Sequence, residues 1–419
     1  MANAQTATVK GFVYDKDTGE PFLFANVFLD GTALGASTDL NGFYQITKVP
    51  AGDYVLKSTF IGMDTASVSI TLKGMGSVSN SLYLSKSSIQ LGVVEISADK
   101  MAATTEVRTS VARITPKEMK QVPTIGAESD LAQVLTVQPG VIFTGDQGGQ
   151  IYIRGGSPVQ NKVLLDGMIV YNPFHSIGLF SVFDTDIIRS ADIYTGGFNA
   201  EFGDRISSVM DIKTRDGNKK RLSGKLSVSP FGANALLEGP LLKLKEGRNG
   251  SISFLLSGKA SFLEQTSKAL YTYIDTGGLP FNYADFYGKV SFNSKNGSKV
   301  NVFGFSYNDE VTYRSVSNYK WNSWGIGTNF LVVPAGSNVL MEGFINYSDY
   351  KISLSENEIA PRQSQIGGFN VGMNFLYYMG KNELKYGVFL QGFPQPPCQV
   401  FCGVSRRCPT ATATPPTPL

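Results

Sequence analysis

The chain has 419 residues, of which 42% are hydrophobic and 17% charged, with 45 Gly, 27 Phe and 19 Tyr. This composition excludes wholesale disorder, which needs low hydrophobicity and high net charge, and a net charge of +3 gives no electrostatic basis for binding nucleic acid. A mean hydropathy of -0.04, with no run of about 18 apolar residues, excludes transmembrane helices but not a membrane β-barrel, whose alternating strands average to neutral hydropathy.

The chain opens Met1-Ala2-Asn3-Ala4-Gln5. The small residues Ala2 and Ala4 have the form of a signal-peptidase site, without the charged and apolar regions that precede one. The expectation is an exported protein from which the signal peptide is absent. Residues 6–86 then read as a first unit of short strands. Thr8 to Tyr14 alternates, Asp17-Thr18-Gly19-Glu20-Pro21 is turn chemistry, and Ala25 to Leu29 is a second strand. Asn41-Gly42, flanked by strand formers, is a hairpin signal, and the pattern repeats from Val49 to Leu56. Asp39 and Asn41 lack the further oxygen ligands of a calcium loop, so a turn is the expected use. Strands at this spacing predict a small β-sandwich.

The order Gly11-x-Val13-x-Asp15-x-x-Thr18-Gly19-Glu20-Pro21, then Ala25-Asn26-Val27, then Thr38-Asp39-x-Asn41-Gly42-x-Tyr44 resembles the carboxypeptidase regulatory-like domain. That resemblance implies a seven-stranded, transthyretin-like sandwich without catalytic residues.

Residues 87–107 form a connector rich in Ser, Ala and Thr, interrupted by the β-prone run Val93, Val94, Glu95, Ile96 and Ser97. Local sequence fits equally an edge strand of the first unit and a segment for strand addition to a partner's sheet. Residues 108–217 read as a mixed α+β unit. Thr115, Pro116 and Glu118 carry the signature of a capped helix start. A second short helix begins at Asp130 and ends before Pro139-Gly140. Strands follow at Ile151 to Ile153, Val163 to Leu165 and Val209 to Lys213, separated by Gly-rich loops, with Val163, Leu164 and Leu165 expected in the core.

Ile153-Arg154-Gly155-Gly156, Leu164-Leu165-Asp166-Gly167, Tyr171-Asn172-Pro173-x-His175 and Gly196-Gly197-Phe198-x-Ala200-Glu201-x-Gly203 follow one another over about 65 residues. Their order resembles the plug domain of TonB-dependent outer-membrane receptors, in the Bacteroidetes style that places a regulatory-like domain first. The resemblance implies that Val93, Val94, Glu95, Ile96 and Ser97 are the Ton box, which pairs with TonB in the periplasm under ExbB and ExbD energy coupling. It also implies that Arg154 pairs with barrel acids. Arg154, Gly155, Gly156, Asp166, Gly167 and Arg205 are the plug-motif residues, structural or barrel-latching.

Residues 221–392 test this independently. Phe369, Val371, Met373, Phe375 and Tyr377 alternate with Asn370, Gly372, Asn374 and Leu376. Trp324, Ile326, Phe330 and Val332 alternate with Gly325, Gly327, Asn329 and Leu331, and Ile252, Phe254 and Leu256 alternate with Ser251, Ser253 and Leu255. Short turns at 293–298, 334–337 and 379–382, with longer connections near 261–282, 309–322 and 350–365, complete an outer-membrane barrel pattern. About nine strands are expected where large plugged transporters have about 22, so the predicted fold is mainly β: sandwich, α+β plug and incomplete antiparallel transmembrane barrel. Residues 393–419 hold Cys398, Cys402 and Cys408 among prolines that cannot extend a ladder, an aberrant tail.

With one histidine, His175, and a Cys spacing that matches no zinc motif, neither a metal nor a cofactor is expected. His175 itself reads as a turn residue. Asp166, Glu201 and Asp204 are the acids a paired-carboxylate hydrolase would need, and nothing beyond charge recommends them. The function implied is energy-coupled uptake of a siderophore, cobalamin or glycan through outer-membrane lipid, by a chain too short in the barrel to transport. The alternative is a β-rich surface or periplasmic binding protein using the first sandwich as an interaction module.

Overall fold

The computed structural model describes residues 6–74, 76–87, 111–123, 129–144, 150–244, 250–270, 278–313, 316–334, 337, 339–356, 359–379 and 382–393. Residues 93–97, expected as the Ton box, and nearly all of the Pro/Cys-rich tail lie outside the described residues.

The first unit contains β1 (Thr6–Asp15), β2 (Asn26–Leu29), β3 (Gly35–Ser37), β4 (Phe43–Pro50), β5 (Gly52–Thr59), β6 (Ala66–Leu72), β7 (Gly76–Ser79) and β8 (Leu82–Leu84). They form two four-stranded sheets, β4-β1-β7 with β8 also on β1, and β3-β2-β5-β6. Val9, Val13, Leu29, Ile46, Leu56 and Leu72 fill the space between them. The segments number eight rather than the seven the resemblance implied. β7 and β8 lie parallel to successive halves of β1 and act as one strand broken at Asn80, whose carbonyl accepts from the Tyr44 hydroxyl at 2.8 Å.

The Asn41-Gly42 signal needs a correction. It marks a turn, but β3 pairs with β2 and β4 pairs with β1, so the chain crosses between sheets instead of folding back as a hairpin. Asp39 takes the amides of Asn41 and Phe43 at 2.8 Å each, and Gly42 has φ 77°. Buried Thr38 receives the Ala25 amide at 2.8 Å, which ties the end of β3 to its own sheet. Turn chemistry fixes a reversal; it does not choose the strand's partner.

The second unit contains β9 (Val111–Ile114), α1 (Pro116–Met119), α2 (Leu131–Thr136), β10 (Val141–Thr144), β11 (Gln150–Ile153), β12 (Asn161–Leu165), β13 (Met168–Ile169), β14 (Ile188–Tyr194) and β15 (Ser208–Thr214). Its main sheet runs β13-β12-β15-β14-β9, with β10-β11 as a separate pair. The capping box at α1 is formed, with the Thr115 amide on Glu118 Oε2 at 2.6 Å. Asp130 caps α2 by accepting the Ala132 amide at 2.8 Å. Val163, Leu164 and Leu165 are buried.

The third unit is a nine-stranded antiparallel meander in chain order: β16 (Ser223–Ser229), β17 (Gly232–Leu242), β18 (Gly250–Ser261), β19 (Phe281–Ser294), β20 (Lys299–Tyr313), β21 (Ser317–Val332), β22 (Val339–Glu356), β23 (Ile359–Met379) and β24 (Asn382–Gly392), with α3 (Leu263–Leu270) between β18 and β19. Trp324 and Ile326 stand 49% and 56% exposed, while Ser323, Ser253 and Asn370 on the alternate positions are buried. The apolar face points outward and the polar face points at the plug, the reverse of a water-soluble sandwich and the pattern of a wall set in lipid.

Two of the expected long connections are not loops. Pairing continues to Tyr313↔Ser317 between β20 and β21 and to Glu356↔Ile359 between β22 and β23. These strands have 15, 16, 18 and 21 residues, well beyond the ~9–11 needed to cross a bilayer. Their ends project past the apolar band, where both faces meet water and side-chain alternation lapses while backbone pairing persists. The connection near 261–282 is long as expected and carries α3.

Candidate functional site

The plug packs flush on the inward face of the wall, and the site is that contact. On β19 the period of two turns Tyr283, Asp285, Tyr287, Lys289 and Ser291 inward together; on β20 it does so for Asn301, Phe303, Phe305, Tyr307 and Asp309. Except for half-buried Asp285, all of these are buried. Tyr287, Phe303, Phe305 and Tyr307 join Leu165, Met168, Phe174 and Ile212 of the plug in one apolar cluster. Charged groups on the same rows meet charged groups of the plug at three points.

The first point is Asp166. It lies in a tight turn with φ 51°, followed by Gly167 at φ 87°, and a side chain at Gly167 would press on the Phe344 ring of β22. The Asp166 carboxylate accepts from the Thr214 amide at 3.1 Å, from the Thr214 hydroxyl, and from the Tyr287 hydroxyl at 3.0 Å. The Lys289 ammonium stands 3.6 Å away. Burial pushes the acid's pKa up, but Lys289 and the Thr214 bonds outweigh it and hold the carboxyl below its usual range.

The second point is Asp216, completely buried. Lys299 of β20 approaches it at 2.5 Å, Lys219 at 3.3 Å, Arg189 of the plug at 3.6 Å and Lys289 at 3.9 Å. Against the cost of burial, these cations hold the carboxyl well below its ordinary value.

The third point is His175, completely buried and stacked on Tyr283 at 3.8 Å between ring centres. Its Nε2 is 2.9 Å from Asp285 Oδ2. Its Nδ1 faces Asp309 Oδ2 at 3.4 Å, an ion-pair distance rather than a well-formed hydrogen bond. The Ser176 amide and hydroxyl donate to the same Asp309 at 2.6 and 2.8 Å. Burial opposes a charged imidazole, but Asp285 and Asp309 prevail over it and over nearby Lys259, raising the pKa. Beside it, Lys259 reaches Asp130 at 3.3 Å and the Ser181 carbonyl at 3.0 Å. A cavity of about 60 Å³ among Asp130, Asp184, Lys259 and Tyr283 has room for waters only.

The sequence-predicted residues are distributed unevenly about this contact. Asp166 and Gly167 lie within it. Arg154 does not: it is exposed, at φ 48° beside Gly155 at φ 80°, and among the described residues it forms no ion pair with a wall acid. Its backbone amide bonds the Gly140 carbonyl at 2.9 Å; the reversal there leaves the guanidinium in solvent. Gly156 is required because the Ser207 side chain fills the space a Cβ would take. Arg205 pairs with its neighbour Asp204 at 2.7 Å, and that acid accepts from Gln391 of β24 at 3.1 Å. Glu201 meets Lys385 of β24 at 2.6 Å. These two acids are wall contacts rather than a catalytic pair. His175 is no mere turn residue, and Asp216, Asp285, Asp309 and Lys259 were missed altogether. The signal that could have found the wall acids is the period-two row of polar side chains on β19.

Residues 9–96 match the CarboxypepD_reg-like domain, and residues 103–208 match the TonB-dependent Receptor Plug Domain. The chain thus carries a regulatory-like domain followed by the plug domain of TonB-dependent receptors. Among curated relatives, the chain is 29% identical over 226 residues to the TonB-dependent receptor SusC of Bacteroides thetaiotaomicron, a match covering 52% of this chain and 22% of SusC. It is 25% identical over 235 residues to the TonB-dependent transporter Oar of Myxococcus xanthus, covering 52% and 21%. The matched segment thus covers about a fifth of the length of these curated relatives. Among solved structures, it is similar to the FrpB iron transporter of Neisseria meningitidis at 13% identity and TM-score 0.49, covering 68% of this chain and 48% of that one. It is similar to the copper transporter OprC at 15% and 0.47, covering 68% and 46%. These relatives are receptors and transporters, not enzymes.

Proposed function

We propose that this receptor chain serves energy-coupled uptake of a ligand across an outer membrane. The observation that supports it best is the plug's seat. A buried imidazole and two buried carboxylates on the plug are each matched by opposite charge on the wall, bonds that hold at rest and need work to break. Removing one partner of a buried pair costs about 3–5 kcal/mol, so thermal motion rarely unseats three at once. In this reading TonB supplies the work, energised by ExbB and ExbD, by adding a strand to Val93, Val94, Glu95, Ile96 and Ser97. The outward Trp324, Ile326, Ile345 and Val388 face outer-membrane lipid, the short turns face the periplasm, and the ligand arrives from the side of the projecting hairpins. Because β16 and β24 each have one unpaired edge among the described residues, and unpaired backbone is costly in hydrocarbon, the nine strands make a wall; import is proposed for a closed barrel. Titration calorimetry with the C-terminal domain of TonB tests the reading. Val94→Pro and Ile96→Pro should each abolish binding by removing a backbone donor. Binding that survives both substitutions would leave residues 93–97 a plain linker.

A further inference from the structure

The first sandwich is seated on both other units. Along β1, Val9 and Val13 face the sandwich core, so Lys10, Phe12 and Tyr14 share the opposite face. In a free-standing sandwich that face would meet water, yet Phe12 is only 3% exposed, as is Phe43 of β4. Both pack against Leu331, Val333, Leu340 and Leu376 at the short-turn end of the wall. The Phe12 ring fills the space above the β19–β20 turn at Gly297. The Lys10 ammonium donates to the carbonyls of Pro334 and Ser337 at 3.3 and 2.6 Å, and Asn41 donates to Glu342 at 2.9 Å.

The same domain also holds the plug's last segment. The Lys219 amide donates to the Thr18 carbonyl at 3.0 Å, and its ammonium lies 5.6 Å from the centre of the Tyr14 ring while contacting Asp216. Lys220 reaches the Lys16 carbonyl. Glu20 sits in the field of Arg215, Arg189 and Lys219. Arg113, fixed on Asp192 by two bonds of 2.7 and 2.9 Å, stacks over Phe24 at 4.7 Å. A continuous path therefore runs from Tyr14 and Thr18 through Lys219 to Asp216, and from there to Arg189 on the plug and Lys299 on the wall.

We propose that the sandwich is a clamp on the plug: docked on the short-turn rim by Lys10, Phe12 and Phe43, it holds segment 215–219 in place, so that its undocking and the loosening of the plug are coupled. Undocking would leave the Lys219 amide without its acceptor and admit water to the charge cluster, where a higher dielectric weakens every pair. Coupling of this kind is reciprocal, so loosening the plug must also weaken the docking. The proposal goes beyond uptake and concerns two parts of one chain; its test uses neither TonB nor ligand, so its failure leaves the transport reading untouched.

Hydrogen exchange on the full chain in lipid or detergent decides it, comparing the unaltered protein with Phe43→Asp and with the milder Lys10→Met. In Phe43→Asp, the rim turn 294–299 and segment 215–219 should both exchange at least roughly tenfold faster, with β5 unchanged as proof that the sandwich remains folded. Lys10→Met should move the same two segments by less, and it decides the matter if β5 shows that Phe43→Asp has unfolded. A rim turn that opens while 215–219 stays protected overturns the coupling. A rim turn already unprotected in the unaltered chain overturns the docking.

Discussion

Two buried clusters in this molecule differ in who contributes to them. The sandwich core is drawn entirely from residues 7–84, with Val9, Leu29 and Leu56 at its centre. The plug core draws on residues 114–212 but also on Leu236, Leu255, Tyr287, Phe303, Phe305 and Tyr307 of the wall. The sandwich is closed on itself and attaches through one outer face, whereas the plug's core continues into the wall, and the plug is held there by buried charge. Apolar burial is non-directional and tolerates a shared surface; buried ion pairs demand that each partner be in place.

The sharpest way to break this contrast is Asp216→Ala. It strips Lys299, Lys219 and Arg189 of their common partner, and the plug's seating should lose about 3–5 kcal/mol. Exchange in β15 would report that loss, while β5 should not change. Leu56→Ala is the converse: it should cost about 2–5 kcal/mol in the sandwich, read by urea denaturation followed in β5, and leave the β15 exchange rate where it was. A β15 response to Leu56→Ala as large as that to Asp216→Ala would merge the two regions into one cooperative unit.

The third prediction concerns pH. Because the folded pKa of His175 is raised, its stabilisation of the plug is complete below about 6.5, the ordinary imidazole value, and fades as pH climbs through the raised value. The protection factor at Ser176, which corrects exchange for its intrinsic base-catalysed rise with pH, should fall over that range in the native chain and not in His175→Gln. The acids Asp166 and Asp216 have lowered values, so their contribution is present above the ordinary carboxylate range and lost as pH falls through the folded values. Plug seating should therefore be strongest in mildly acidic solution, and the sandwich core should lack this profile. The smallest effect is Thr115→Ala, which removes the α1 cap and should cost about 0.5–2 kcal/mol, visible as faster exchange at Glu118 alone.

Much of this was legible before any coordinates. The cap at Thr115, the short helix from Asp130, the buried Val163 to Leu165 run and the outward Trp324 and Ile326 all follow from local spacing and period. What failed were statements about partners. Asn41-Gly42 announced a reversal but not that β3 and β4 belong to different sheets. Residues 309–322 and 350–365 read as loops because their side chains stop alternating, although backbone pairing needs no alternation. Arg154 was expected at the wall on resemblance and stands in solvent, while His175, read as a turn, is completely buried in the contact.

The sequence by itself determined the order of the three units and the two faces of the wall, because periodicity and turn chemistry act between residues a few positions apart. Which charges meet was decided only by tertiary structure. His175 and Asp285 are 110 positions apart, Asp216 and Lys299 more than eighty, and Lys10 and Ser337 more than three hundred. A lone acid or histidine carries no mark of its partner, since its state is set by burial and by whatever charge the fold brings within a few ångströms.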